Sequence, residues 1–257
     1  MSQTALQPQR TLPPEVAEFC RRAVEALRAK VPVREVWLFG SYAEGKAGKD
    51  SDVDLFVVLA DDHGLEEPFV ECWDAIRDIR PRRPMDVVTL AESYWHHPRY
   101  RGFGLWSDIA EKGVCLFDSG EFYPAPATDL PLMPGDPTVP ESWYKHARRD
   151  LKSAKIVLAD EDIEGALVHL QQSAEKLLKG WLIGRDWHLI KTHEIDDLCS
   201  EVELRGVVLD WFSDRKILTK AFFQSRYPGP ENFLTSGQVG AIAGRIERLF
   251  SELGVKL

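Results

Sequence analysis

Val36-Trp37-Leu38-Phe39-Gly40-Ser41, ten further residues, and then Asp52-Val53-Asp54-Leu55-Phe56-Val57-Val58-Leu59 decide how this chain is read. Two short apolar runs have the length and β-branched or aromatic content of buried strands. The first delivers a Gly-Ser turn, a polar segment reverses the chain, and the second carries two carboxylates one residue apart. Strand side chains alternate, so Asp52 and Asp54 are expected on one face, about 7 Å apart, with Val53 and Leu55 on the other. Carboxylates so placed suit divalent cations that take oxygen ligands. A Gly-Ser turn opening a helix suits a phosphate, because free backbone N–H groups and the helix dipole point at it. Together they indicate phosphoryl or nucleotidyl chemistry. The competing reading is a Gly-Ser turn beside a hairpin with two solvated aspartates, which explains neither the glycines nor the flanking apolar strands.

The stretch from Gly40-Ser-Tyr-Ala-Glu-Gly45 through Ser51-Asp-Val-Asp-Leu-Phe-Val-Val58 resembles the signature of the polymerase-beta-like nucleotidyltransferases, in their small minimal branch. The resemblance implies a third carboxylate from a neighbouring strand. Asp86, in Arg82-Arg-Pro-Met-Asp86-Val-Val-Thr-Leu90, fits that position; the alternative is a strand-initiating acid paired with Arg82 or Arg83. It further implies that Asp52, Asp54 and Asp86 hold Mg2+, two ions in the usual arrangement, with Asp86 accepting or orienting the proton of the attacking hydroxyl. Gly40 and Ser41 would hold the β- and γ-phosphates of an NTP, ATP by default. Lys46 and Lys49, in the loop between the two half-motifs, either touch phosphate or keep the loop soluble. Arg77, Arg80, Arg82 and Arg83 form a basic run that is either a solvated helix end or a phosphate-facing one.

With 257 residues, 44% hydrophobic and 28% charged, the chain has room for two domains with filled cores. A net charge of −9 argues against a broad grip on nucleic acid. Cys20, Cys72, Cys115 and Cys199 are scattered, without the spacing of zinc ligands, and read as small buried residues of a reducing compartment. No apolar run approaches a membrane span and residues 1–10 lack a signal-peptide core, so the expected location is the cytoplasm.

Six prolines between Phe122 and Glu141 divide the chain. The expected division is an N-terminal tail (1–13), an α+β nucleotidyltransferase domain with a small mixed sheet (14–120), a Pro-rich linker (121–140) and an all-α bundle (141–257). Upstream, helices are expected over Pro14–Lys30 and Glu66–Ile79, and strands over Glu35–Phe39, Val53–Leu59 and Met85–Leu90, with a last apolar piece at Val114–Phe117. His96-His97 beside Pro98 reads as an exposed turn. Downstream, Trp143–Ala159, Ile163–Gly184, Thr192–Glu203, Val208–Gln224 and Ser236–Leu253 read as amphipathic helices. In the second, Leu167, Leu170, Ala174, Leu177, Leu178 and Trp181 share one face as the core stripe. His169, Gln172, Lys176 and Lys179 share the opposite face, read as a solvated or dimer-facing surface, or as a wall of a substrate cleft.

Ala166-Leu-Val-His-Leu-Gln-Gln-Ser-Ala-Glu-Lys-Leu-Leu-Lys-Gly-Trp-Leu-Ile183, with Lys191-Thr-His-Glu194 and Ser225-Arg-Tyr-Pro228, resembles a HEPN domain, an all-helical partner of minimal nucleotidyltransferases. That resemblance brings a ribonuclease possibility carried by Arg, four to six residues, then His. Here Arg185 and His193 have seven residues between them, and Arg185 and His188 have two. Nuclease activity is therefore not carried over, and His188 and His193 are expected to pack or cap near the helix end. The implied function is Mg-dependent transfer of an NMP, AMP from ATP by default, to a hydroxyl. The acceptor would be a protein tyrosine, Tyr227 being one candidate against a packing role, or a cationic small molecule such as an aminoglycoside. The alternatives are a non-catalytic nucleotide-binding, dimerising module of toxin–antitoxin type, and a HEPN ribonuclease. A homodimer is plausible for the bundle.

Overall fold

The computed structural model describes residues 12–49, 51–81, 83–121, 130–133, 135–190, 192–224 and 234–257. The chain forms two compact units, residues 1–131 and 132–257. Of the prolines between the halves, Pro124, Pro126 and Pro134 lie outside the described residues, as do Arg82, Lys191 and Ser225–Pro228 with Tyr227.

In the first unit, helix α1 (Pro14–Lys30) buries Val16, Phe19, Cys20, Ala23 and Leu27, an i, i+3, i+4 stripe. Strands β1 (Val33–Phe39), β2 (Val53–Leu59), β3 (Met85–Ala91) and β4 (Val114–Asp118) form one mixed sheet in the order β3-β2-β1-β4. β1 runs antiparallel to β2 and β4, and β2 runs parallel to β3. The parallel step needs a crossover, supplied by α3 (Pro68–Ile76) and a 3-10 turn at Arg77–Ile79. Short helices α2 (Gly40–Glu44), α4 (Glu92–His96), α5 (Pro98–Arg101) and α6 (Gly104–Lys112) complete the unit.

The sheet is covered on both faces, which is why β2 reads as a nearly unbroken apolar run. Val36, Leu38, Val53, Leu55, Val57 and Leu59 pack with α1 and α3. On the other face Trp95 of α4 meets Phe56 at 4.8 Å and Trp37 at 5.7 Å between ring centroids, both edge-on.

That aromatic layer hides an acid. Glu35 is buried, and its Oε2 accepts the indole N–H of Trp37 (2.7 Å) and of Trp95 (3.0 Å), while His96 Nε2 lies 2.9 Å from Oε1. Burial pushes the Glu35 carboxyl up, but the donors of His96, Trp37 and Trp95 outweigh it and hold it below the usual carboxylate range. His96 is therefore not on an exposed turn. It ends α4 with its side chain 26% exposed, and His97 caps α5 by accepting the Arg99 N–H at 3.2 Å.

In the second unit, α8 (Ile163–Ile183) packs against α7 (Pro140–Ala159), α9 (Ile195–Glu203), α10 (Arg215–Gln224) and α11 (Ser236–Glu252). The core stripe from Leu167 to Trp181 is buried as expected. Of the opposite stripe, His169, Gln172 and Lys176 are half-buried and Lys179 departs from a solvated face, because a helix packed against four others keeps little solvent face. Lys179 is only 5% exposed. α7 starts earlier than the apolar pattern does, at Pro140, which suits a first helical turn. α10 starts later, at Arg215, after a turn region whose buried Asp214 is bound by Arg245 (Nη2 to Oδ1, 2.9 Å).

Three of the cysteines are buried, with thiols pushed up to about 11 (Cys20) and about 12 (Cys72, Cys199); Cys115 departs from expectation in being exposed. Among the described residues no helix is long and apolar enough to cross a membrane.

Truncating Leu177, fully buried on α8, to Ala is expected to cost about 2–5 kcal/mol, read as a lower chemical-denaturation midpoint. Glu35→Ala leaves two indole donors and His96 facing a cavity, and is expected to cost roughly 2–4 kcal/mol. Because the folded Glu35 carboxyl lies below its unfolded value, its contribution is present above the ordinary carboxylate pKa and is lost as pH falls through the folded value. Stability of the Glu35→Ala protein should therefore fall less steeply with acidification below about pH 4.5 than that of the wild type.

Candidate active site

Three strands meet in one register. Phe39 of β1 pairs with Asp54 of β2, and Asp54 pairs with Asp86 of β3. Directly paired residues share a face, and neighbouring strands lie about 4.8 Å apart, so Asp54 and Asp86 stand side by side. Asp52 lies one residue before β2 and is exposed; Asp54 is half-buried and Asp86 exposed. Asp86 Oδ1 accepts the Val87 N–H at 2.8 Å, which turns that oxygen back toward its own strand. Among the described residues no group of three or more His, Cys, Asp or Glu side chains is gathered tightly enough to hold a metal ion. The structure thus places Asp54 beside Asp86, with Asp52 at the mouth of the same strand.

Gly40 is required twice. Its φ of +67° lies in the left-handed region, and a Cβ there would stand 2.2 Å from Asp54 Oδ2. The Asp54 carboxylate therefore rests directly on the Gly40 backbone. From this point α2 runs for five residues and ends at Gly45, φ +72°, with the Ser41 carbonyl accepting the Lys46 N–H at 2.9 Å. Ser41 itself is half-buried at the start of that turn.

The loop that follows is held from outside. Arg83 donates through Nη1 to the Lys49 carbonyl (2.6 Å) and through Nε and Nη2 to Glu15 Oε1 (2.9 and 2.6 Å). One guanidinium thereby ties the loop before Asp52 to α1 and to the strand that carries Asp86. Nothing local signals this clamp, since Glu15 and Arg83 lie 68 positions apart. The Lys46 and Lys49 side chains are both exposed, with Lys46 paired to Glu44 at 2.6 Å. That hydrogen bond holds the Glu44 carboxyl below its ordinary range. Of the basic run, Arg77 pairs with Asp74 (3.0 Å) and Arg80 is exposed.

In the helical unit, a second buried carboxylate gathers partners. Glu175 Oε1 accepts from Lys179 Nζ (2.8 Å) and Oε2 from Gln171 Nε2 (2.6 Å), and His193 Nδ1 lies 3.1 Å from Oε2. Burial opposes ionisation of Glu175, yet the Lys179 charge and the surrounding donors hold it below the usual range. Lys179 also donates to the Thr192 carbonyl (2.7 Å), and His193 stacks on Phe222 at 3.9 Å. The cluster holds Thr192 and His193 against α8. Arg185 is engaged elsewhere, over the Trp181 ring at 3.5 Å, and His188 is exposed. Arg185 and His193 therefore form no pair.

Residues 20–102 match the nucleotidyltransferase domain family and residues 140–255 match the HEPN domain family. A protein of Methanocaldococcus jannaschii named as a candidate protein adenylyltransferase is 29% identical over 84 residues, 33% of this chain and 82% of its own length. Among solved structures, a protein of Thermus thermophilus aligns with a TM-score of 0.39 and 21% identity, over 45% of this chain and 95% of that one. Spectinomycin adenyltransferase from Enterococcus faecialis, solved with ATP and spectinomycin, aligns with a TM-score of 0.37 and 12% identity, over 91% of this chain and 98% of that one. The chain thus carries a nucleotidyltransferase domain, matched over residues 20–102, followed by a HEPN domain, matched over residues 140–255.

Proposed function

We propose that this nucleotidyltransferase transfers AMP from ATP to a hydroxyl of a protein acceptor in a Mg2+-dependent reaction. The observation that carries the reading is the register that stands Asp54 against Gly40 on one side and beside Asp86 on the other. The choice of AMP and of a protein acceptor draws support from the relative named as a candidate protein adenylyltransferase.

Carboxylate oxygens are the donor type that a hard divalent cation takes, and register sets Asp54 beside Asp86; these two, with Asp52 drawn in from the mouth of β2, are the residues that would close on Mg2+. When bound, the metal supplies charge neutralisation at the triphosphate and at the attacking oxygen. The chain's own residues do the rest. Asp86, exposed at the edge of β3, accepts the proton of the incoming hydroxyl as its oxygen attacks the α-phosphorus. Gly40 and Ser41 present backbone N–H groups and a hydroxyl to the β- and γ-phosphates, and the bond to pyrophosphate breaks. Lys46 and Lys49 lie on the surface of the same loop, where their ammonium groups attract the nucleotide. Arg83 keeps that loop in register with Asp52 through Glu15.

The test is direct. Purified protein incubated with each α-labelled NTP and Mg2+ is expected to release pyrophosphate and to place label on protein, most strongly with ATP. Asp52→Asn, Asp54→Asn and Asp86→Asn should each lower the rate by at least about a hundredfold while leaving the thermal midpoint within a few degrees. Absence of turnover with Mg2+ or Mn2+, with nucleotide affinity unchanged in Asp52→Ala, would instead identify a non-catalytic nucleotide-binding module of toxin–antitoxin type. Label confined to small cationic acceptors would replace the protein acceptor with an aminoglycoside-like one.

Gly40→Ala separates geometry from charge. It keeps every carboxylate but imposes a left-handed Ala costing about 1–2 kcal/mol, and its Cβ must displace Asp54. Turnover should fall as far as in Asp54→Asn, with metal titration of the residual activity shifted to higher concentration.

A further inference from the structure

We infer that the outer face of α3 is a docking surface for a basic amphipathic segment of another protein. The face is apolar where a soluble helix should be polar. Phe69 is 49% and Val70 45% exposed, and Phe69 stacks on Trp73 with ring centroids 6.3 Å apart. The same helix already buries Cys72, Ala75 and Ile76 in the unit's own core and packs Trp73 against it, so Phe69 and Val70 are surplus to folding.

Charge identifies the occupant. Between Asp61 and Asp78 the chain carries Asp61, Asp62, Glu66, Glu67, Glu71, Asp74 and Asp78 against a single guanidinium, Arg77. Most of the chain's net charge of −9 is thereby concentrated in 18 residues, three of whose acids, Glu67, Glu71 and Asp74, recur at i, i+4 and i+7 alongside the ridge. Arg77 is occupied by Asp74 (3.0 Å) and Asp78 (3.8 Å). Asp61 is committed to the Ser93 N–H (2.9 Å), while Asp62, Glu66 and Glu67 are exposed.

A second copy would bring the same acids against themselves, and a nucleic acid or an anionic membrane would be repelled. A helix with an apolar stripe flanked by Lys and Arg satisfies both halves of the surface. Its aliphatic side chains cover Phe69, Val70 and Trp73, and its cations meet the carboxylates and the aromatic faces. A ridge of three apolar side chains is small, so the contact should be micromolar and salt-sensitive, in the range of transient partners.

The probe is a fluorescein-labelled 18-residue helical peptide of Leu, Lys and Arg, titrated by anisotropy with the full-length protein. Two control peptides replace every Leu by Ser, or every Lys and Arg by Glu. The expected result is a micromolar Kd for the first peptide, at least tenfold weaker for both controls, and weaker again on raising salt. Phe69→Ser and the pair Glu67→Lys with Glu71→Lys should each weaken binding at least tenfold, with circular dichroism and thermal midpoint unchanged. No binding, equal binding to the variants, or equal binding of the Ser control would overturn the inference. So would sedimentation of the wild type as a dimer that Phe69→Ser converts to monomer, which would give the face to a second copy. In cells, a photo-crosslinking residue at position 70 should attach to a basic amphipathic segment of another protein. Attachment to an acidic segment or to the protein itself would count against the proposal.

Discussion

The rest of the transferase unit depends on Asp54 having a neighbour on each side. β2 is the strand where antiparallel and parallel pairing meet, and its second residue stands between the end of β1 and the start of β3. A slip of one position in either ladder would turn the Asp54 carboxylate to the opposite face, into the packing of α1 and α3. The buried run Val53, Leu55, Val57 and Leu59 prevents that slip, because the same slip would exchange these side chains with Asp54, Phe56 and Val58. The hydrophobic core thus does more than stabilise the sheet. It sets the position of the acids to within one residue, and Gly40 completes the fit by leaving room for the carboxylate.

Strand alternation explains why so much of this was legible in the chain. Apolar runs bounded by Gly-Ser and Asp-x-Asp gave β2 at its observed bounds, and β3 to within one residue, from short-range pattern alone. The helical half was legible wherever a stripe of Leu and Ala meets a core, as along α8. Within its polar stripe, the burial of Lys179 escaped detection for a reason of the same kind. Period 3.6 tells which residues share a face, but not how many other helices will cover that helix. Lys179 sits on the polar side of α8, yet Thr192 and Glu175 enclose it. The late start of α10 escaped detection because Leu209 and Phe212 continue an apolar pattern while the buried Asp214 and Arg245 hold that region as turns. Arg83 escaped because its meaning lies in Glu15 and in a main-chain carbonyl, neither of which any spacing rule connects to it.

The two buried carboxylates show how each unit handles a cost that the core cannot. Burial pushes both carboxyls up, yet both are held below the usual carboxylate range, Glu35 by the donors of His96, Trp37 and Trp95, and Glu175 by the Lys179 charge together with the donors of Lys179, His193 and Gln171. For Glu35 two of those donors are indoles, that of Trp95 fully buried, so one acid satisfies Trp37, Trp95 and His96 together. For Glu175 the donors belong to Gln171, Lys179 and His193, and the result fixes a connection between helices instead of a sheet face. Part of each set is local, Trp37 two residues from Glu35 and Gln171 and Lys179 one helical turn from Glu175, while Trp95, His96 and His193 are contributed by the fold.

The distribution of acids separates three roles that net charge alone would merge. Buried ones such as Glu35 serve packing, and Asp54 and Asp86 are set by register at one end of the sheet. The acids from Asp61 to Asp78 are mostly exposed and stand around Phe69 and Val70, apolar side chains that lie outside the core. Self-repulsion among so many carboxylates on one short segment opposes folding, and Arg77 relieves only part of it. An exposed apolar ridge beside them carries the further hazard of non-specific association. The carboxylates limit that hazard by excluding copies of the chain and other acidic surfaces, while leaving the ridge open to a cationic one. The charge on α3 is therefore a selectivity device for the apolar surface next to it, and neither feature has a physical rationale without the other.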